Sequence, residues 1–334
     1  MQKLKIGLLG AGHLGKIHLK CLQLLPDVYE LVGFYEPQPE RAASIAKELD
    51  LKAYSDVEEL IAAVDVVDIV TPTSSHFEMA QKAIAAGKHI FVEKPITQTL
   101  EEGKTLLALA QEAGIKGQVG FVERFNPAFL AMAEQEISPM FIEAHRLAPF
   151  NPRGNDVSVV LDLMIHDLDI LLKLVNSPVR SVQASGVAIV SPAEDIANAR
   201  IEFENQAVAN ITASRISMKS MRKFRLFQSD AYISMDFLEK KSELIRLYDS
   251  PEGVSEADRL MALETPQGER YLLVDQPETQ AVNAIKTELE LFAKSILEDT
   301  EPTVSLEDGV KALELAYQIL AAISAHRQAI QEQF

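Results

Sequence analysis

A chain of 334 residues, 47% hydrophobic and 24% charged, has a globular composition with room for two domains, each with its own core. Its net charge of −17 argues against a nucleic-acid partner, and no apolar run approaches the length of a membrane span. Cys21 is the single cysteine, which excludes an internal disulfide; with no sorting signal read, the cytoplasm is the expected location.

The opening MQKLKIGLLGAG imitates a signal peptide, with basic residues before an apolar run. That run is short and passes straight into a glycine turn, so it reads as a strand. Up to residue 122, short apolar runs at 5–10, 30–36, 66–71, 89–93 and 117–121 alternate with helical patterns near 14–25, 39–49, 56–63, 75–86 and 99–113. Such alternation predicts an α/β domain with a doubly wound parallel sheet over 1–122. From 123 to 334 the rhythm changes. One long apolar helix at 157–175 precedes β-type runs at 179–190, 199–214 (turning at Asn205–Gln206) and 224–237, which predicts a mainly antiparallel sheet. The polar stretch 249–268 reads as a surface excursion. Helical patterns near 279–298 and 305–328 close this α+β domain and are expected to pack back on the first one.

The first predicted strand runs into Gly10-Ala11-Gly12-His13-Leu14-Gly15 and a helix. A turn of this kind lets the backbone approach a pyrophosphate, and the helix N-terminus offers unpaired N–H groups. Glu36, at the end of the second strand, is placed to bind ribose hydroxyls and to repel a 2′-phosphate. NAD is therefore expected rather than NADP, with Arg41 the residue that would suit the phosphate. The next strand ends carry Thr71-Pro72-Thr73-Ser74-Ser75-His76 and Glu93-Lys94-Pro95, which should overhang the cofactor. A bland reading competes: Ser75 and Glu78 have capping-box spacing, and Glu93-Lys94 suits an exposed loop.

In LDLMIHDLDILL (161–172), four ionisable groups interrupt an apolar helix. At α-helical spacing Asp162, His166, Asp169 and Lys173 share a stripe, with Asp167 pointing elsewhere. Asp162 and His166 are an i,i+4 pair, and a carboxylate beside imidazole supports a general base. Two other readings stay open: a structural histidine satisfied by local carboxylates, and a metal site, for which the sequence shows no further ligand cluster.

Together, GLLGAGHLG, the acidic end of strand two, TPTSSHFEMAQKAIAAGKHIFVEKPIT and the D-x-x-x-H of DLMIH closely resemble the Gfo/Idh/MocA family of nicotinamide-dependent oxidoreductases, over nearly the whole chain. The resemblance implies a Rossmann domain followed by an α+β domain whose open sheet forms homodimers or homotetramers. It implies Lys94 at the reacting hydroxyl and nicotinamide ribose, His166 as acid/base and Asp162 touching it or the substrate. It further implies cofactor contacts from Gly10, Gly12, His13, Leu14, Gly15, Glu36, Thr71, Pro72, Thr73, His76, Glu93 and Gln118. Within the family, VGFVERFNPA, HRLAPF and DVSVVLDLMIHDLD look like the branch that oxidises UDP-N-acetylglucosamine at its 3-hydroxyl. That substrate needs cations for a diphosphate, for which Arg124, Arg146, Arg153 and the run 214–225 are candidates, with Asn126 hydrogen-bonding sugar. The run 214–225 equally suits a charged strand edge. The competing functions are oxidation of a free sugar, inositol or sugar acid, and an NAD-binding regulator without chemistry.

Overall fold

The structure, a computed structural model, describes residues 3–151, 157–255, 259–266 and 268–331. The chain forms two compact units, Met1–Phe125 with Asn283–Glu314 and Asn126–Val282 with Leu315–Phe334.

In the first unit, strands and helices alternate: β1 (Leu4–Leu9), α1 (His13–Gln23), β2 (Tyr29–Tyr35), α2 (Pro39–Leu49), β3 (Ala53–Tyr54), α3 (Val57–Ala62), β4 (Val66–Ile69), α4 (His76–Ala85), β5 (His89–Glu93), α5 (Leu100–Ala113) and β6 (Gly117–Gly120). The six strands run parallel in the order β3-β2-β1-β4-β5-β6. Helices on both faces cover the sheet, and β4 and β6 are buried at every position, including Asp68 and Gln118. Only the two-residue β3 escaped the hydrophobic pattern. Ser75 departs from the capping-box expectation: its hydroxyl donates to the Pro72 carbonyl at 2.9 Å within a 3₁₀ turn, and it does not cap α4. A complete capping box instead joins Thr99 and Glu102 at the start of α5.

The second unit carries α6 (Pro127–Leu130), β7 (Phe141–Leu147), α7 (Ile165–Val175), β8 (Val179–Val187), β9 (Ile196–Phe203), β10 (Val208–Ser214), β11 (Met221–Phe227), β12 (Ala231–Asp236), β13 (Lys241–Tyr248), β14 (Met261–Thr265) and β15 (Gly268–Asp275). Its sheet has the order β14-β15-β13-β12-β11-β7-β10-β9-β8. Every neighbouring pair is antiparallel except β7 and β10. Alternating burial along β7, β9 and β10 shows one face packed against a core. The stretch read as a polar excursion contains β14, whose side chains are mostly exposed, as suits the outermost strand of a sheet.

After β15 the chain returns to the first unit with α8 (Ala284–Leu297), where Leu289, Phe292 and Ala293 pack with Leu4, Ile6, Leu22 and Phe91. The last helix, α9 (Leu306–Gln331), belongs to the first unit up to Glu314 and to the second from Leu315.

The apolar helix of the second unit is not α-helical throughout. Val160–Met164 forms a π-helical turn that packs against β10, and α7 follows it directly. With i→i+5 bonding in that turn, the 100° spacing expected for Asp162 does not hold, and the predicted stripe is not a uniform polar surface. Asp169 is buried, Asp162 and His166 are half-buried, and Lys173 is exposed. Asp167 explains part of the charge in this apolar segment. Its carboxylate accepts from Arg146 Nε at 2.9 Å and Nη2 at 2.8 Å, and both side chains are buried. The guanidinium of Arg146 is thus committed to a bidentate internal pair, which removes it from the set of exposed cations expected to meet a diphosphate. Asp167→Ala should lower the unfolding free energy by about 3–5 kcal/mol, because it removes one partner of a buried, doubly hydrogen-bonded ion pair; urea denaturation measures this.

Candidate active site

The strand order reverses between β1 and β4, so the crossovers leaving them diverge and open a crevice at their carboxyl ends. Gly10, just past β1, has φ of 91°, and a Cβ there would lie 2.7 Å from the Thr71 main chain. A Cβ on Gly15 would come 2.1 Å from the Gly10 carbonyl oxygen, so only glycine lets α1 start this close to β1. Gly12 is different: a Cβ there would meet nothing within 4 Å. No side chain caps α1 and its first turn holds no acidic residue, so its leading N–H groups face an open cradle suited to a pyrophosphate.

Around that cradle is a cleft of about 620 Å³ within the first unit. Gly10, Gly12, His13, Leu14, Glu36, Arg41, Thr71, Pro72, Thr73, His76, Glu93 and Lys94 all line it, as the sequence led us to expect. Gly15 and Gln118 do not. Gly15 acts from within the turn, while Gln118 is buried in β6 and donates from Nε2 to the Glu288 carbonyl at 2.9 Å. Tyr35, Pro37, Gln38, Val70, Ser75 and Met79 complete the lining. Ser75 was already named within the Thr71–His76 segment; the others had no signal in the sequence beyond lying within two positions of a residue singled out.

Glu36 is 6% exposed and its Oε1 accepts from the Gln38 N–H at 3.1 Å. Arg41 lies 3.4 Å from the same oxygen with its own side chain half exposed. The carboxylate is therefore held in place at the cleft, where it could accept from ribose hydroxyls, and Arg41 offsets part of its charge. Thr71 Oγ1 is buried at the cleft without a hydrogen-bond partner among the described residues, a polar atom awaiting a ligand. His76 faces two carbonyl oxygens, Nδ1 toward Pro95 and Nε2 toward Thr71, each at 2.9 Å. Burial pulls its pKa below the ordinary value against the pull of those carbonyls, and the ring sits between the Thr71 and Pro95 segments. These features fit a bound dinucleotide, and the half-buried Lys94 sits in the same lining.

In the second unit, the π turn presents Asp162, which lies 3.8 Å from Arg215 Nη2. His166 follows in the first turn of α7. π-turns recur where a side chain must be re-aimed at a functional site. Asn126 is not displayed for a sugar: its Oδ1 caps α6 by accepting the Ala128 N–H at 3.0 Å, and its Nδ2 donates to the Phe237 carbonyl at 3.0 Å. Arg124 belongs to the first unit and is 3% exposed. Arg153 lies outside the described residues. Within the run 214–225, Arg215, Lys223 and Arg225 each face a carboxylate, of Asp162, Asp236 and Glu143 respectively.

Residues 4–121 match the model of the GFO/IDH/MocA oxidoreductase family, NAD-binding Rossmann fold, and residues 137–234 match the C-terminal domain of the same family. The chain belongs to the Gfo/Idh/MocA family. It is 41% identical over 239 residues to UDP-N-acetylglucosamine 3-dehydrogenase of Acidithiobacillus ferrooxidans, covering 71% of this chain and 75% of that one. With scyllo-inositol 2-dehydrogenase (NAD(+)) of Bacillus subtilis it shares 31% identity over 330 residues and 93% of each chain. The solved structure of the Acidithiobacillus enzyme superposes with a TM-score of 0.86 at 33% identity, covering 97% of this chain and 99% of that chain. The protein is thus an NAD-dependent sugar or polyol dehydrogenase.

Two variants separate packing from binding at the turn. Gly12→Ala should fold normally yet bind NAD more than about tenfold more weakly, whereas Gly15→Ala should lower the melting temperature; calorimetric titration and thermal melting distinguish them. Glu36→Ser should raise the affinity for NADP relative to NAD by about tenfold or more, read in paired titrations of the two cofactors.

Proposed function

We propose that the protein oxidises the 3-hydroxyl of a nucleotide sugar of the UDP-N-acetylglucosamine type to the 3-keto sugar. The observation that carries this reading is the 0.86 TM-score to UDP-N-acetylglucosamine 3-dehydrogenase over nearly the full length of both chains. Its counterpart, oxidation of an inositol, is supported by the 31% identical dehydrogenase that matches 93% of the chain. The nucleotide sugar takes precedence because identity to the UDP-N-acetylglucosamine enzyme is higher over the segments that align.

In this reading Gly12, Glu36, Thr71 and Thr73 hold NAD, which supplies the acceptor for the carbon-bound hydrogen. Lys94 donates a hydrogen bond to the reacting hydroxyl and stabilises the negative charge that grows on its oxygen. His166 accepts the hydroxyl proton at a ring nitrogen, and Asp162 favours the imidazolium that results. The proposal extends to self-association through the open sheet of the second unit and to a cytoplasmic location; light scattering reports the first and fractionation the second.

Reduced cofactor formation, followed by absorbance, should appear with UDP-N-acetylglucosamine and fail with myo-inositol, scyllo-inositol and free N-acetylglucosamine. His166→Asn should lower kcat by about 10²- to 10⁴-fold with NAD binding intact. Turnover of an inositol with the nucleotide sugar inert would transfer the chain to the polyol reading. Wild-type kcat in His166→Asn would remove the base assignment.

A further inference from the structure

Behind the Glu93–Lys94 turn, four ionisable side chains from four elements meet in the core of the first unit: His18 of α1, Asp68 of β4, Glu93 of β5 and Glu288 of α8. His18, Asp68 and Glu288 are fully buried, and Glu93 is 8% exposed where it reaches the cleft. His18 Nδ1 lies 3.0 Å from Asp68 Oδ2 and Nε2 lies 3.2 Å from Glu93 Oε1. A ring nitrogen of His18 and one oxygen each of Glu93 and Glu288 fall within 4.8 Å of one another. The second oxygen of Glu93 accepts the main-chain N–H of Lys94 at 3.2 Å. The Glu93 carboxylate thus lies beside imidazole on one side, at ion-pair distance from a His18 Nε2 that has no aligned hydrogen-bond partner among the described residues, and accepts the Lys94 N–H on the other.

Charge proximity indicates where the protons go. Each ring nitrogen of His18 lies within 3.2 Å of a carboxylate oxygen, which favours the doubly protonated cation over the neutral ring. Glu288 then remains. Neither of its oxygens has a hydrogen-bond partner among the described residues, and as an anion it would sit beside two other carboxylates in the core. As a carboxylic acid it can donate instead.

We propose that His18 and Glu288 are positioning residues for the dehydrogenase reaction: a doubly protonated imidazole and a neutral carboxylic acid lock the Glu93 carboxylate and, through it, the Lys94 main chain at the cleft. This rests on the role of Lys94 given above. The titration tendencies agree with the geometry. Burial pushes His18 toward the neutral form, but Asp68 and Glu93 outweigh it and hold its pKa well above 6.5. Burial, with repulsion from Glu93 and Asp68, drives Glu288 well above 4.5. Burial also raises Asp68, against the pull of His18. The other titratable groups facing the cluster stay uncharged at neutral pH: burial raises Cys21 of α1 and Tyr29 of β2, and lowers His76 of α4. Gln118 of β6, which reaches the Glu288 carbonyl, carries no charge.

The shifts of His18, Asp68 and Glu288 are upward, so the folded protein binds protons that the unfolded chain releases. The stabilisation is complete below the ordinary values and is lost as pH rises through the folded ones. Thermal melts across pH should therefore fall on the alkaline side in the wild type and fall less steeply in Glu288→Gln, whose amide replaces the neutral acid. With glutamate labelled at its side-chain carboxyl, NMR of the full-length protein at neutral pH should show one protonated resonance, missing in Glu288→Gln. His18→Gln should lower kcat by roughly tenfold to a hundredfold while NAD affinity changes little, because it loosens alignment without removing a cofactor contact. Glutamates that all titrate in the ordinary range, or a stoichiometric divalent cation in the purified protein, would overturn the proposal. So would wild-type kcat in His18→Gln while Lys94→Ala is inactive. Wild-type kcat in Lys94→Ala would instead refute the role of Lys94 on which the inference stands.

Discussion

The first unit depends on one constraint: between β1 and β4 the parallel sheet changes direction of winding, and two strand ends must nearly touch while a helix begins above them. Gly10 and Gly15 are consequences of that crowding, since any side chain there meets backbone at 2.7 Å or less. Gly12 is the complement, a position with free space on its Cβ side. Packing thus closes the turn at two glycines and leaves it open at the third. The same crowding brings Thr71, His76 and Glu93 into one lining with Glu36, although some 57 residues separate the first and last of them (93 − 36 = 57).

Buried charge follows one rule in both units. In the second, Arg146 and Asp167 satisfy each other with two parallel hydrogen bonds, which lets a largely apolar helix carry an acid into the core. In the first, imidazole, not guanidinium, meets the carboxylates, and their charge holds its second proton well above the ordinary histidine range. The first arrangement is a fixed pair. The second is titratable, and it lies directly behind residues that line the cofactor cleft.

How much of this was legible in the sequence depended on whether the signal was local. The parallel strands of the first unit are short, mainly apolar runs broken by turns, and the glycine turn, the Thr71–His76 segment and Glu93-Lys94 follow them directly. These are contiguous features, and the cleft gathers almost all of them. β7 was missed because its inward residues Ile142, Ala144 and Arg146 include a buried arginine, which breaks the alternation of apolar with polar. β14 was missed because its exposed position gives it a polar, loop-like composition. Asn126 looked like a sugar ligand because hydrogen-bonding capacity is visible in sequence and its local use as a helix cap is not. Least legible was the buried cluster. His18 reads as one more residue of an amphipathic helix and Glu288 as a surface acid, and only the fold brings them within reach of Glu93, across 270 residues (288 − 18 = 270).

The proposed reaction is defined by which hydrogen leaves which molecule. UDP-N-acetylglucosamine carrying deuterium at C3 of the sugar, turned over with NAD, should deliver that deuterium to the nicotinamide ring, seen by mass spectrometry as reduced cofactor one mass unit heavier, alongside a 3-keto sugar nucleotide. Reduced cofactor formed without the label, or no reduction of NAD by this substrate while an inositol is oxidised, would contradict it.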